Sequence, residues 1–178
     1  MKVGFIGLGN VGAKLAGSIL RNGFDLTVRD LDSPVMEEFS LLGANVASSP
    51  RELAERCDVV ITCLPSPAIS ASVMEDKNGV LAGLSEGNIW IEMSTTDEQE
   101  VLRIANKVHA RGAFTADCPV SGGCHRAATG NIAIFAGCDR PVFDSVFPLL
   151  AAMGQQVLHT GPLGTASILK VVTNYLAT

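Results

Sequence analysis

The chain has 178 residues, 47% of them hydrophobic and 17% charged, with a formal net charge of −5. This length suits one domain, or one plus a fragment, and the composition excludes a disordered chain, which needs low hydrophobicity and high net charge. There is no basic block, and no apolar run approaches the ~20 residues of a membrane span, so neither nucleic acid nor a membrane is expected as partner.

In chain order, strand-like apolar runs alternate with helix-length segments. Lys2–Ile6 reads as a strand, followed by a glycine-rich turn and a helix near Asn10–Arg21. Phe24–Arg29 is a second strand. Ser33–Leu42 reads as a helix with Ser33 as N-cap and Pro34 at the first helical position. Ser49–Arg56 repeats that device, with Glu52 three residues after Ser49. Asp58–Leu64 and Asn88–Glu92 are further strands, and Thr96–Ala110 is a helix with Thr96 as its cap and Val101, Ile104, Ala105 and Val108 on one face. Ala113–Asp117 and Asn131–Ala136 read as strands, Arg140–Ala152 as a helix, and Gln156–His159 as the last strand. Strands that are continuously apolar imply a sheet covered on both faces, hence mostly parallel. The alternating order implies an α/β, Rossmann-type, doubly wound fold.

The end of the chain is unusual. Ser167–Leu176 reads as a helix that is apolar around most of its circumference, with nothing after it to cover it. The expectation is a chain cut inside a long helix; the alternative is a natural terminus docked on this domain or on a second copy.

Gly7-Leu8-Gly9-Asn10-Val11-Gly12 is GxGxxG, set between a strand and a helix. In that motif the first glycine permits the tight turn, the second lets a pyrophosphate approach, and the third lets helix pack on strand. Asp30 closes the second strand 18 residues after Gly12, where a carboxylate accepts from a ribose 2′-hydroxyl and repels a 2′-phosphate. That favours NAD over NADP. Arg29 would favour the 2′-phosphate, but neighbours on a strand face opposite sides, so the two should not both face the ribose.

Three more segments draw attention. Cys63-Leu64-Pro65-Ser66-Pro67 and Glu92-Met93-Ser94-Thr95-Thr96-Asp97 each lie at the carboxyl end of a strand, where ligands of open α/β sheets sit. The prolines also suffice simply to end the strand. Asp117-Cys118-Pro119-Val120-Ser121-Gly122-Gly123 offers a hydroxyl and open backbone N–H groups, suited to a carboxylate; a flexible loop is the plainer reading. Lys170 and Asn174 lie one turn apart on the last helix. On composition alone Lys170 reads as a surface lysine that snorkels; if buried, its lowered pKa would suit a general acid/base. His109, His125 and His159 lie far apart and no zinc pattern fits, so no metal is expected. Five cysteines without a CxxC pair, and no cleavage site behind the glycine-interrupted start, suggest a reducing, cytoplasmic setting without a signal peptide.

Together these segments resemble the β-hydroxyacid dehydrogenase family. Gly4–Gly12 is similar to its opening cofactor motif, Leu64-Pro65 to its cofactor-contacting pair, and Ser94-Thr95 to its segment beside the nicotinamide. Asp117–Gly123 is similar to its DxPVSGG substrate motif, and Gly161-Pro162-Leu163-Gly164 with Lys170 and Asn174 to its catalytic stretch. The resemblance implies that NAD, rather than NADP, contacts Gly7, Leu8, Gly9, Asn10, Val11, Gly12, Asp30, Leu64, Pro65 and Thr95. It implies a small 3-hydroxy acid held by its carboxylate at Ser121, Gly122 and Gly123, with Lys170 as general acid/base and Asn174 orienting the hydroxyl. A short-semialdehyde reductase, such as one acting on tartronate semialdehyde, and a non-catalytic NAD-binding module are the alternatives. A phosphogluconate-type decarboxylase fits less well, because Thr173 stands where the family has Asn or His. The resemblance further implies a dinucleotide-binding domain over 1–161, an interdomain helix beginning over 162–178, an absent all-helical domain, and a homo-oligomer for the full-length protein.

Overall fold

Six parallel strands form the centre of the molecule, described over residues 1–176 in a computed structural model. They are β1 (Lys2–Ile6), β2 (Asp25–Arg29), β3 (Asn45–Val46), β4 (Val59–Thr62), β5 (Ile89–Glu92) and β6 (Phe114–Asp117), in spatial order β3-β2-β1-β4-β5-β6. The short β7 (Val120–Ser121) continues the line of β6, and both pair antiparallel with β8 (Ala133–Gly137). β9 (Gln156–Gly161) pairs parallel with β8. The expected mostly parallel sheet is therefore present, with one antiparallel step beyond β6.

Strand alternation distributes the core between two layers. Val59, Ile61, Ile89 and Ile91 point to the side covered by α1 (Gly12–Arg21), α2 (Ser33–Leu41) and α8 (Arg140–Met153). Val60 and Trp90 point to the other side, covered by α3 (Pro50–Arg56), α4 (Pro67–Glu75), α5 (Val80–Gly83) and α6 (Glu98–His109). All four residues of β4, and all four of β5, are buried, the pattern of a doubly covered parallel sheet. α7 (Gly123–Ala128) follows β7, and α9 (Thr165–Leu176) packs against β6, β8 and β9. Ala177 and Thr178, the last two residues of the expected interdomain helix, lie outside the described residues.

Two local expectations are corrected, and one left open is decided. Ser33 does not cap α2: it is the first helical residue, and Asp32 takes the cap position without a side-chain bond. Thr96 does not cap α6: Asp97 does, accepting from the Glu100 N–H at 2.9 Å. A carboxylate accepts there more strongly than a hydroxyl and complements the helix dipole. Ser66-Pro67 does more than end β4: Ser66 caps α4, accepting from the Ile69 N–H at 3.3 Å. The Ser49 cap is as expected, with the Glu52 N–H donating to Ser49 Oγ at 3.1 Å.

Candidate active site

Above the carboxyl ends of β1, β2, β4 and β5 lies a groove of about 1060 Å³, at the place where ligands of open α/β sheets bind. Its floor is the β1–α1 turn. Gly7 has φ +99°, and a Cβ there would overlap the Cys63 carbonyl oxygen; a Cβ on Gly12 would overlap the Gly7 carbonyl oxygen. A Cβ on Gly9 would meet nothing within 4 Å. Two glycines are thus required by the turn, and the third leaves free space above the backbone. The N–H groups of Asn10, Val11 and Gly12 have no backbone acceptor among the described residues, and they open α1 with its positive dipole end. The turn therefore fits a diphosphate by shape and by charge.

Asp30 stands at the β2 end of the groove. Its Oδ2 accepts from the Leu8 N–H at 2.5 Å and its Oδ1 from the Asp32 N–H at 2.9 Å, so the carboxylate is held firmly. Leu8 contributes that N–H while its side chain is buried in the core. Arg29 also lines the groove, contrary to the alternation argument. The reason is that β2 ends at Arg29, so Asp30 lies beyond the last pleat. The Arg29 guanidinium donates to the Asp30 carbonyl oxygen.

Leu64, Pro65 and Thr95 line the groove further along, with Cys63 and Met93 beside them. Their two loops are tied together: Ser94 Oγ accepts from the Leu64 N–H at 2.8 Å, and the Ser94 N–H donates to Glu92 Oε1 at 2.8 Å. Glu92 is fully buried, and burial pushes its carboxyl upward against the hydrogen bonds from Ser94. Burial likewise pushes the Cys63 thiol up to about 12, which leaves it protonated and a poor nucleophile near neutral pH. Glu92 opened one of the segments singled out in the sequence, but its hydrogen bond to the Ser94 N–H was not foreseen.

The Val120–Gly123 segment begins where the groove ends. Val120 lines the groove; Ser121, Gly122 and Gly123 follow it but do not line it. Gly122 and Gly123 have φ of +128° and +74°, a conformation that side-chain-bearing residues rarely adopt. Neither N–H has a backbone acceptor among the described residues. Lys170, on α9, is half-buried, and among the described residues no ion pair holds it. Burial pulls its pKa below the ordinary lysine value. Asn174 is exposed one turn further on. Neither residue lines the groove. Thr173 Oγ1 donates back to the Lys170 carbonyl at 2.9 Å, so its hydroxyl serves the helix.

The groove also has a wall that the sequence reading missed: Ile69, Ser72 and Val73 of α4, with Asp76 and Asn78 after it. The Ser66-Pro67 cap was the available signal.

A family model described as the NAD binding domain of 6-phosphogluconate dehydrogenase matches residues 2–161. The mitochondrial 3-hydroxyisobutyrate dehydrogenase of Mus musculus is 38% identical over 174 residues, 98% of this chain and 52% of its own length. Glyoxylate/succinic semialdehyde reductase 1 of Arabidopsis thaliana is 33% identical over 176 residues, 99% of this chain and 61% of its own. The chain thus spans between about half and three fifths of these two curated relatives. A solved Mycobacterium tuberculosis 3-hydroxyisobutyrate dehydrogenase with L-serine superposes with a TM-score of 0.93 at 27% identity, covering 99% of this chain and 60% of that one. Among the described residues no helix is long and apolar enough to cross a membrane.

Proposed function

The chain belongs to the β-hydroxyacid dehydrogenase family, through an NAD-binding domain of the 6-phosphogluconate dehydrogenase type, and from that premise we propose that the whole protein is an NAD-dependent dehydrogenase of small 3-hydroxy acids resembling 3-hydroxyisobutyrate. On this reading residues 1–161 are the dinucleotide-binding domain and 162–178 open an interdomain helix. An all-helical domain completes the substrate site in the whole protein, which forms a homo-oligomer. The family match over 2–161 and the length of the relatives support that division.

Residues Gly7–Gly12 hold the diphosphate, Asp30 holds the adenosine ribose, and Leu64, Pro65 and Thr95 flank the nicotinamide end. NAD, when bound, supplies the hydride acceptor. The Ser121 hydroxyl and the N–H groups of Gly122 and Gly123 hold the substrate carboxylate. Lys170 Nζ removes the hydroxyl proton as the carbon–hydrogen bond breaks and the carbonyl forms, and returns the proton in reduction. As an ammonium, Lys170 stabilises negative charge developing on the substrate oxygen. Asn174 orients that hydroxyl.

The observation that carries this reading is Lys170 itself: half-buried, without a counter-ion among the described residues, on the helix that follows the Gly161–Gly164 turn. A domain that only bound NAD would have no use for such a lysine. A semialdehyde reductase would use the same residues in reverse, and the likeness to a glyoxylate/succinic semialdehyde reductase keeps it as the second reading. Absorbance at the NADH band, measured on the whole protein with a panel of 3-hydroxy acids and short semialdehydes, tests the proposal. Turnover of 3-hydroxyisobutyrate-class acids is expected. Faster reduction of semialdehydes would select the second reading, and NADH binding without any turnover would overturn both.

A further inference from the structure

Asp117 is the last residue of β6 and is fully buried. Its two carboxylate oxygens reach across to the start of α9. Oδ1 accepts from the Gly164 N–H at 2.8 Å, and Oδ2 from the Ser167 N–H at 2.7 Å. N–H groups in a first helical turn have no partner within their own helix, and a negative charge there complements the helix dipole. The neighbouring strand is shaped around this contact. Gly137 of β8 is the register partner of Asp117, and a Cβ on Gly137 would overlap Asp117 Oδ1 and lie 3.0 Å from the Pro162 carbonyl oxygen.

The chain on either side of this contact leads to the two halves of the substrate site. Three residues after Asp117 come Val120 and then the Ser121–Gly123 loop. Three and seven residues after Ser167 come Lys170 and Asn174, which share its helix face. Resting on the function proposed above, we propose that Asp117 is a positioning residue that fixes Lys170 relative to the carboxylate-binding loop.

The test compares the unaltered whole protein with its Asp117→Asn variant, which keeps one acceptor but turns an amide N–H₂ toward the second donor. Gly137→Ala is the companion variant; it displaces the clamp while leaving the charge in place. Three readouts are taken: kcat and KM for the hydroxy acid as a function of pH, NADH affinity by calorimetry, and amide hydrogen exchange along α9. A misplacement of about 1 Å is enough to slow a reaction on the order of 10²-fold. Both variants should therefore lose roughly ten- to hundredfold in kcat. NADH affinity should stay the same, the pH at which the rate rises should not move, and exchange should quicken over residues 165–170.

Unchanged kcat in folded variants overturns the proposal. So does a joint fall in kcat and NADH affinity, which would mark a general structural role. If the unaltered whole protein turns over no hydroxy acid, the functional reading fails separately, and α9 exchange still decides the clamp: unchanged protection in Asp117→Asn overturns it. If Asp117→Asn does not fold, Gly137→Ala decides by the same readouts.

Discussion

Lys170→Ala should lower the rate of hydroxy-acid oxidation on the order of 10²–10⁴-fold, the usual cost of removing a general acid/base. NADH binding should be unaffected, because Lys170 does not line the groove that holds the glycine turn and Asp30. The pH dependence follows from burial, which lowers the pKa of Lys170 below its ordinary value of 10.5. Oxidation needs the neutral amine, so the rate should rise with pH through a Lys170 pKa that lies below the ordinary lysine value. Lys170→Ala should abolish that rise. Equal rates in the variant and the parent, measured at the NADH band, would remove Lys170 from the mechanism.

The second large effect separates two glycines of one motif. Gly9→Ala should fold with an unchanged melting temperature, because its backbone is not in the left-handed region and a Cβ there meets nothing within 4 Å. It should nevertheless weaken NADH binding, since that free space is what a diphosphate would fill. Gly12→Ala should damage both properties, because its Cβ overlaps the Gly7 carbonyl oxygen and something must move. Overpacking of this kind costs about 1–3 kcal/mol. If the displaced turn is also the binding surface, NADH affinity falls by about 5- to 150-fold. Calorimetric titration and thermal melting of both variants check this. A Gly9→Ala variant that binds NADH like the parent would mean that the ligand does not pass over Gly9.

Much of this was legible before the structure. The continuous apolar strands Lys2–Ile6 and Asp58–Leu64 announced a doubly covered sheet, and Gly7–Gly12 in its strand–turn–helix setting marked the groove. What stayed hidden was decided by contacts far apart in sequence. Asp117 meets Gly164 and Ser167, 47 and 50 residues away, and no local pattern reveals such a clamp. Glu92 looked like the end of a strand until Ser94 and Leu64 closed around it. Arg29 and Asp30 show where a rule reaches its limit: alternation holds only while the chain stays in the sheet, and the sheet ends at Arg29. Thr96 was expected as the cap of α6, but its neighbour Asp97, the stronger acceptor, holds that place.

Everything proposed for Lys170 and Asp117 depends on the groove taking NAD with Asp30 at the ribose. Calorimetric titration of the folded chain with NADH and then NADPH, at matched ionic strength, tests this most directly. NADH should bind more tightly by about tenfold or more, a difference of about 1.4 kcal/mol or greater. Preference for NADPH would mean that Arg29 rather than Asp30 meets the ribose, and binding of neither cofactor by a chain that melts cooperatively would contradict the assignment of the groove.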